Sequence, residues 1–515
     1  MNTIRKLFPL LAVCLVSCSI TGYEQTFKVS DSEVDDLVAK SKYAHHLGRT
    51  RKTEEPQAEQ KLEGLTVDDC IGIALRNNRR YLNELENLFV RHIDVEVEKH
   101  NYFPLLDPLS MSYQSAWANN GIKNQTDTYS SSTGIRQKIP FGGSLAATST
   151  LAHAEDEADP KTRGSTLTPS VTLTLPLIKG RGMIVGMNTL VSAARAHRYA
   201  TREVENIKQA FLIDVLDKYF SIVSLQKEIK NYEINLENAT KLKEKSQTQY
   251  DFGKVSKVDV FRAEYLETGA KKDLLIAREN LKLSMDAFKI DLGIDPETDI
   301  SLQEQEIAFA EVDVAEKDYM ASALENNILW QNTKDQYDDA KRNLVIANDL
   351  TKIQADLTGS WQETRSADDP TESYDRDDEE WNAALTVNIP LDRKSIEAEY
   401  HKRVVEFVQF ERNFDLSRDM LVRDARSHVI AVKQAKLEMD SAKIAVDQAE
   451  KAKELLDVQY EQGVVTNRDV IDAQLDVIRA KNGYLRSLVS HKVATLRLRQ
   501  FEGTLVLDET GGWWR

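Results

Sequence analysis

The chain has 515 residues, far more than one typical globular domain, so it folds either as several compact units or as one elongated architecture. Glycine (21 residues) and proline (11) are scarce while 29% of the residues are charged, a balance that favours long solvated helices. The formal charge of −16 argues against nucleic acid as a partner, because phosphate binding needs clustered Lys and Arg.

The N-terminus has the pattern of an export signal. Arg5 and Lys6 precede an apolar run of about ten residues, 7–16, which is too short to span a bilayer as a mature helix. The run leads to Leu-Val-Ser-Cys at 15–18, which is similar to a bacterial lipobox. We therefore expect a signal peptide at 1–17 and acylation of Cys18, with ordinary cleavage nearby as the alternative. Ser19, in place of an aspartate, favours the outer membrane.

Cysteine usage limits the covalent chemistry of the mature chain. Cys14 leaves with the signal and Cys18 would carry lipid, so Cys70 is left as a free thiol. An intramolecular disulfide or a cysteine-based metal site is therefore not expected. Cys70 lies on the apolar side of a predicted helix, and we interpret it as a buried structural residue. The polar stretch 18–64 is interpreted as a lipidated N-terminal linker.

An internal repeat organises the rest of the chain. A Tyr-x-x-Gly turn followed by Asp, Val and Ala occurs twice at a constant offset of 210, and an Ala-Leu-x-Asn-Asn segment occurs twice at an offset of 249. The difference of 39 predicts an insertion in the first copy. We expect the first repeat at 65–300, the second at 301–505 and a tail at 506–515. The matching residues are Tyr250, Gly253, Asp259, Val260 and Ala263 against Tyr460, Gly463, Asp469, Val470 and Ala473, then Ala74–Asn78 against Ala323–Asn327.

Each copy contains a very long helical segment. Residues 186–249 and 395–459 lack proline and almost lack glycine, and their apolar residues recur at steps of three and four. Roughly 60 helical residues extend about 90 Å, so these helices must pack side by side. An ordinary coiled coil is the alternative, but it would not need the β segments described next.

The β segments alternate apolar and polar side chains. Four strands are predicted around 109–113, 171–175, 353–361 and 385–389, and this alternation suits either a soluble sheet or a membrane barrel. One chain has too few strands to close a barrel, so closure would require several identical subunits. A further hairpin is predicted from 128–139 and 144–153, around Pro140-Phe141-Gly142-Gly143, and it fits the insertion.

An acidic segment follows the third of these strands. Residues 365–380 include eight acidic residues, and we interpret the segment as a solvated external loop. Metal binding is the alternative, but the spacing is not that of a defined calcium loop.

The motifs, taken in order, resemble the TolC-like outer-membrane efflux family over about 65–505. The resemblance implies a mainly α fold with a membrane β-barrel part. Long antiparallel helices would form a trimeric α-barrel tunnel, and each subunit would give four strands, or six with the added hairpin, to a shared transmembrane β-barrel. The matching segments are Leu65–Asp69, Phe103–Leu105, Leu175–Leu177, Gly180–Gly182, the two Tyr-x-x-Gly turns and Phe501–Leu505.

The resemblance also implies two kinds of site. The turns 253–256 and 463–466 would lie at the periplasmic tips that meet a periplasmic adaptor protein; independently, each glycine permits a left-handed turn, and Ser256 and Thr466 can cap the next helix. Asp469 and Asp472 match positions of acidic rings at the tunnel constriction, although a solvated helix face is the alternative for Asp472. The expected adaptor-docking residues are Gly253, Lys254, Val255, Ser256, Gly463, Val464, Val465 and Thr466.

The resemblance implies that the chain functions as an exit duct in the bacterial outer membrane. The resemblance implies a lipid-anchored homotrimer, its tunnel projecting into the periplasm, that works with the adaptor and an inner-membrane transporter in efflux of small molecules or metal ions. The exit duct of a type I protein secretion system and a structural coiled-coil lipoprotein are the alternatives. The nine histidines show no metal-ligand spacing, and no phosphate-cradling loop or nucleophile elbow appears, so neither an enzyme nor a cofactor is expected.

Overall fold

Eight strands and nine helices make up the part of the chain described by the computed structural model, residues 62–119, 123–156, 164–304, 316–368, 375–462 and 464–505. These residues belong to one unit, Lys61–Arg515. Cys18, most of the linker, the C-terminal tail and Gly463 lie outside them. In chain order the elements are β1 Leu62–Leu65, α1 Val67–Asn77, α2 Arg79–His100, β2 Leu105–Asn119, β3 Lys123–Lys138, β4 Ser144–Asp156, β5 Gly164–Pro176, α3 Met183–Gly186, α4 Asn188–Asp251, α5 Lys257–Leu292, β6 Ile300–Leu302, α6 Glu316–Asn326, α7 Ile328–Leu350, β7 Gln354–Ala367, β8 Asp375–Asn388, α8 Lys394–Glu461 and α9 Asn467–Glu502.

The two predicted long helices are confirmed. Helix α4 has 64 residues and α8 has 68, so each extends about 100 Å at 1.5 Å per residue. Each turns back into a 36-residue helix, α5 or α9. Helix α4 packs on α5 and on α9, and α9 packs on α8, which gives the lateral order α5, α4, α9, α8. No helix within the described ranges combines the length and the apolar character needed to cross a membrane.

The six long strands form one antiparallel sheet in the order β2-β3-β4-β5-β7-β8. The predicted added hairpin is confirmed as β3 and β4, which lie between the two strands of the first repeat. The interpretation of 365–380 as one loop is wrong, because β7 continues to Ala367 and β8 begins at Asp375. Charged residues cluster towards the loop end of this strand pair, where the buried Glu363 accepts from the Arg365 guanidinium at 3.0 Å.

One hydrophobic core joins the middle of α4 to the C-terminal parts of α5 and α9. It gathers α1, α4, α5 and α9 around Tyr219, Phe220 and Phe288, all at most 2% exposed. The short parallel pair β1 and β6, which the sequence did not predict, closes this core. The hydroxyl of Tyr219 donates to the carbonyl oxygens of Leu65 at 3.3 Å and Gln303 at 2.8 Å, so a buried polar group finds partners in this strand pair. Cys70 is fully buried here, and burial raises the pKa of its thiol to about 12.

The Asn-Asn repeat joins helices in both halves of the chain. Asn78 caps α2 by accepting from the Tyr81 N–H at 2.9 Å, and its side-chain amide donates to the carbonyl oxygen of Asp291 at 2.7 Å. Asn327 does the same for α7, accepting from the Trp330 N–H at 2.8 Å and donating to the Phe501 carbonyl at 2.7 Å. One side chain thus begins one helix and holds the end of another.

A glycine completes each of these joints. Gly293 and Gly503 end α5 and α9 in the left-handed region, with φ of 70° and 77°. A Cβ added to Gly293 would overlap the carbonyl oxygen of Asn77, and one added to Gly503 would overlap that of Asn326. The close approach of two main chains therefore requires glycine at both positions.

We expect Gly293→Ala to destabilise the protein by about 2 kcal/mol or more, because both the positive φ and the Asn77 contact oppose a side chain. Loss of the helical circular dichroism signal on heating measures this effect. Gly269→Ala in the middle of α5 is the matched control, since nothing lies within 4 Å of its Cβ position. The control should be neutral or stabilising by up to about 1 kcal/mol. Equal melting temperatures of the two variants would contradict the requirement for glycine at position 293.

Candidate functional site

The two helical hairpins turn by the same main-chain geometry. After α4, Gly253 has φ of 71° and the N–H of Lys254 donates to the Gln249 carbonyl at 2.8 Å. After α8, the N–H of Val464 donates to the Gln459 carbonyl at 2.9 Å, which is the same bond 210 residues later. The left-handed conformation predicted for Gly253 is confirmed, while that of Gly463 lies outside the described residues.

Both turns lead into a reciprocal cap, as predicted for Ser256 and Thr466. The Asp469 carboxylate accepts from the Thr466 N–H at 2.8 Å and from its hydroxyl at 2.6 Å. Asp259 accepts the same two bonds from Ser256, at 3.2 and 2.7 Å. These bonds, the hydroxyl first, hold the pKa of the exposed Asp469 below its ordinary value. The repeated aspartate is thus explained locally by helix capping.

Asp472 lies one turn further along α9 and is well exposed, with 64% of its side chain accessible. Its nearest cation is the Arg468 guanidinium, 3.7 Å away. In the first copy Arg262 occupies the equivalent position and approaches Asp259 at 3.4 Å. The two aspartates of α9 therefore lie on adjacent turns near the hairpin end, and their assignment to a constriction stays a prediction.

Polar and apolar side chains divide the surface of the hairpin ends. Tyr460 donates to the Gln249 side-chain oxygen at 3.0 Å, and Lys245 lies 5.1 Å from the Tyr460 ring centroid, so the ends of α8 and α4 are joined directly. Phe252 and Val464 are 75% and 69% exposed. Each turn therefore exposes one prominent apolar side chain, while Val255 and Val465 are half-buried.

The sheet has two chemically different faces. Cross-strand pairing places Leu106, Ile135, Ala147, Val171, Trp361 and Trp381 in one row on the same side, which we call the apolar face. The opposite side, the hydroxyl face, carries serine and threonine pairs that bond across strands, for example Ser110 with Ser132 at 2.6 Å and Thr148 with Ser170 at 2.8 Å. The sheet is thus more apolar on one side and bears hydroxyl groups on the other.

Both edges of this sheet are long and unpartnered within the described residues. β2 pairs only with β3, and β8 pairs only with β7. Because six strands alternate in direction, β2 and β8 run antiparallel to each other, so the β8 edge of one copy can pair with the β2 edge of another. Such a head-to-tail contact generates a closed ring when the rotation permits.

The outer helices of the lateral order carry matching exposed stripes that the sequence analysis did not identify. Tyr265 is 83% and Leu437 67% exposed, and the members of each stripe lie within a narrow arc of one helix face. Apolar residues on a second helical face were the available signal. The α5 stripe comprises Phe261, Tyr265, Leu275, Leu283 and Ile290, and the α8 stripe comprises Ile430, Leu437, Ile444 and Leu455.

Comparison with known proteins identifies the architecture. No protein-family model and no curated protein sequence matches the chain. Among solved structures, the Campylobacter jejuni CmeC outer membrane channel superposes with a TM-score of 0.64 at 12% identity, over 85% of each chain. The Vibrio cholerae outer membrane protein VceC gives 0.64 at 14% identity, over 85% of this chain and 96% of its own. The Neisseria gonorrhoeae MtrE outer membrane channel gives 0.61 at 15%, over 85% and 88%.

The chain has the fold of the TolC-like outer-membrane channels. The resemblance inferred from the sequence is therefore confirmed at the level of the fold. At 12–15% identity the TolC-like backbone is shared while most side chains are not. Within the described residues no group of three or more His, Cys, Asp or Glu is arranged to hold a metal ion.

Proposed function

We propose that this chain is one subunit of a homotrimeric exit duct in the bacterial outer membrane. The observation that supports it best is the six-stranded sheet, apolar on one side and lined with hydroxyl groups on the other, with both edges open. A barrel closed from such sheets faces lipid with its apolar side and water with its hydroxyl side. The fold shared with outer membrane channels points the same way.

Three copies would be held together in both layers. The β8 edge of one copy pairs with the β2 edge of the next, and the α8 stripe of one copy packs against the α5 stripe of the next. The heptad spacing of Ile430, Leu437 and Ile444 suits knobs-into-holes packing along such a seam. The four long helices of each copy would then continue the barrel as a helical tunnel that projects into the periplasm.

Reconstitution of the mature protein tests this function directly. We expect a detergent-dependent trimer that resists heat on gel electrophoresis and conducts ions in a planar lipid bilayer. A soluble, rod-like monomer after removal of the lipid would instead support a structural coiled-coil lipoprotein. Mass spectrometry of the N-terminal peptide measures whether Cys18 carries acyl chains, which is the proposed anchor.

The hairpin ends are the proposed docking surface for a periplasmic adaptor, which in turn links the duct to an inner-membrane transporter. Phe252 and Val464 supply exposed apolar contacts, and Lys254 is exposed beside them. The duct would discharge small molecules or metal ions collected upstream. A photo-crosslinker at Lys254 or Val464 should capture one periplasmic protein. The same crosslinker at Arg479, exposed on α9 away from the tips, should not.

Asp469 and Asp472 are proposed to close the tunnel with rings of carboxylates. Three copies of each would surround one axis, favour cations and bind divalent ions that block the pore. We expect Asp469→Ala with Asp472→Ala to raise the conductance of the closed channel several-fold in a planar bilayer and to weaken block by divalent cations. Unchanged conductance would exclude the gate assignment.

The capping role of Asp469 requires its own control. Thr466→Ala removes the hydroxyl partner of the carboxylate but keeps its charge, so it loosens the start of α9 without emptying the ring. A conductance increase in Thr466→Ala equal to that of the double variant would assign the effect to helix fraying. Asp259→Ala, the capping equivalent in α5, gives the same comparison in the first repeat.

A further inference from the structure

The inserted hairpin is paired along its whole length with the strands beside it. β3 pairs with β2 from Leu105 opposite Arg136 to Asn119 opposite Lys123, with one irregularity between Asp107 and Ser110. β4 pairs with β5 from Ser144 opposite Thr174 to Ala154 opposite Gly164. The hairpin therefore lies within the sheet, between the strands that would otherwise be neighbours.

The apolar face continues into the hairpin through Tyr129, Ile135 and Leu151, with Ser131, Thr133 and Ser149 between them. On the apolar side an aromatic row runs from Tyr113 through Tyr129 to His153, with ring centroids 5.1 and 6.5 Å apart. On the hydroxyl side Ser112 bonds Ser130 at 2.6 Å across the β2–β3 boundary. The hairpin thus has one more apolar face and one hydroxyl-bearing face, in the same orientation as the strands on either side.

The turn of the hairpin is held against the chain that follows β5. The N–H of Gly182 donates to the Phe141 carbonyl at 2.8 Å. Gly142 and Gly143 have φ of 94° and 93°, and a Cβ on either would overlap a carbonyl oxygen, of Gly180 or Thr174. Close main-chain contact at this turn fixes the hairpin to the end of the sheet that joins the helices.

We propose that the hairpin is part of the membrane wall, so that three copies close an 18-stranded barrel through the outer membrane. This inference rests on the proposed trimeric duct. Six strands from each of three copies make 18, whereas the same chain without the hairpin would supply 12. Closure works because an even number of strands leaves antiparallel edges on each copy.

The added strands enlarge the pore. With strands about 4.8 Å apart and tilted by about 40°, 18 strands give a backbone diameter of about 36 Å, against about 24 Å for 12. The cross-section of the barrel thus rises about twofold. The 18-stranded barrel therefore admits larger solutes than a 12-stranded barrel would. The helical tunnel, and not the barrel, then limits the size of the solutes that pass.

Cryo-electron microscopy of the full-length protein in lipid nanodiscs tests the inference by counting strands. We expect a trimer with 18 strands around one lumen. A variant lacking residues 123–161, a deletion of the 39 residues that separate the two repeat offsets, should give 12 strands and a narrower lumen. A wild-type trimer with 12 strands and the hairpin outside the wall overturns the inference and leaves the proposed duct intact. A soluble monomer overturns both.

Thiol labelling gives an independent measurement that needs no deletion. Thr150 lies on the hydroxyl face and Leu151 on the apolar face of β4, at neighbouring positions. We expect a membrane-impermeant thiol reagent to label Thr150→Cys at least tenfold faster than Leu151→Cys in liposomes. The unsubstituted chain sets the background, which buried Cys70 keeps low. Equal labelling of the two positions overturns a place in the wall.

Discussion

Replacing Leu437 and Ile444 with glutamate is expected to abolish the heat-resistant trimer. Both side chains are more than half exposed in the single chain and lie seven residues apart on the α8 stripe. Burial of such a side chain between copies contributes about 2 kcal/mol, and a buried unpaired carboxylate costs more than that gain. Each substitution occurs once in each of the three copies. The free-energy cost of the six buried carboxylates together therefore exceeds the free energy that holds an ordinary interface together. Native mass spectrometry or size-exclusion chromatography in detergent measures the loss.

A control on the same helix tests whether the position of the charge on the α8 stripe matters. Ser427→Glu with Ala445→Glu adds the same charge to α8, at exposed positions about 80° around the helix from the stripe. This pair should keep the trimer. If both double variants dissociate, added charge alone is responsible and the stripe has no special role.

Val171→Arg is expected to prevent stable insertion into the outer membrane. Val171 occupies the apolar face of the central strand β5, between Ala147 and Trp361 on the neighbouring strands. An arginine facing lipid near the bilayer midplane costs about 2–4 kcal/mol, and a trimer carries it three times. The amount of folded trimer in isolated outer membranes should fall at least fivefold.

The neighbouring residue provides the matched control. Thr172 points to the hydroxyl face, between Ala146 and Ser360, where water would solvate a guanidinium group. Thr172→Arg should insert almost normally and change ion selectivity towards anions instead. Poor insertion of both variants, or normal insertion of both, would contradict the assignment of the two faces.

Much of the fold followed from local patterns. Long segments without proline and glycine predicted α4 and α8 to within about two residues at each end, because these residues interrupt helices most strongly. Period-two alternation predicted four of the six long strands, and the two segments around Pro140–Gly143 predicted the inserted hairpin, in agreement with the unequal repeat offsets. Tyr250, Gly253 and Ser256 predicted the first turn because φ sign and capping are properties of a few adjacent residues.

Other features depend on contacts between distant segments. The pairing of β1 with β6 joins residues more than 230 apart and has only three or four residues per strand, too few for a periodic signal. The requirement for glycine at 293 and 503 could not be predicted, because the Asn77 and Asn326 carbonyls that exclude a side chain come from distant parts of the chain. The strands also extend beyond their alternating apolar cores, which is why the acidic residues of β8 were misplaced in a loop. The ring proposed for Asp469 and Asp472 depends on the arrangement of three copies around one axis, which is a property of the assembly and not of local sequence.

The even number of strands in the sheet also restricts how a wall of this kind can grow. A single extra strand would make the two edges parallel and would send the chain into α4 from the opposite end of the sheet. A hairpin returns the chain to its starting end and restores the direction of both edges, so width can change while every helix keeps its place. Strands can therefore be added to this architecture only two at a time, as hairpins. Pores of graded width can be designed by adding or removing one hairpin per subunit.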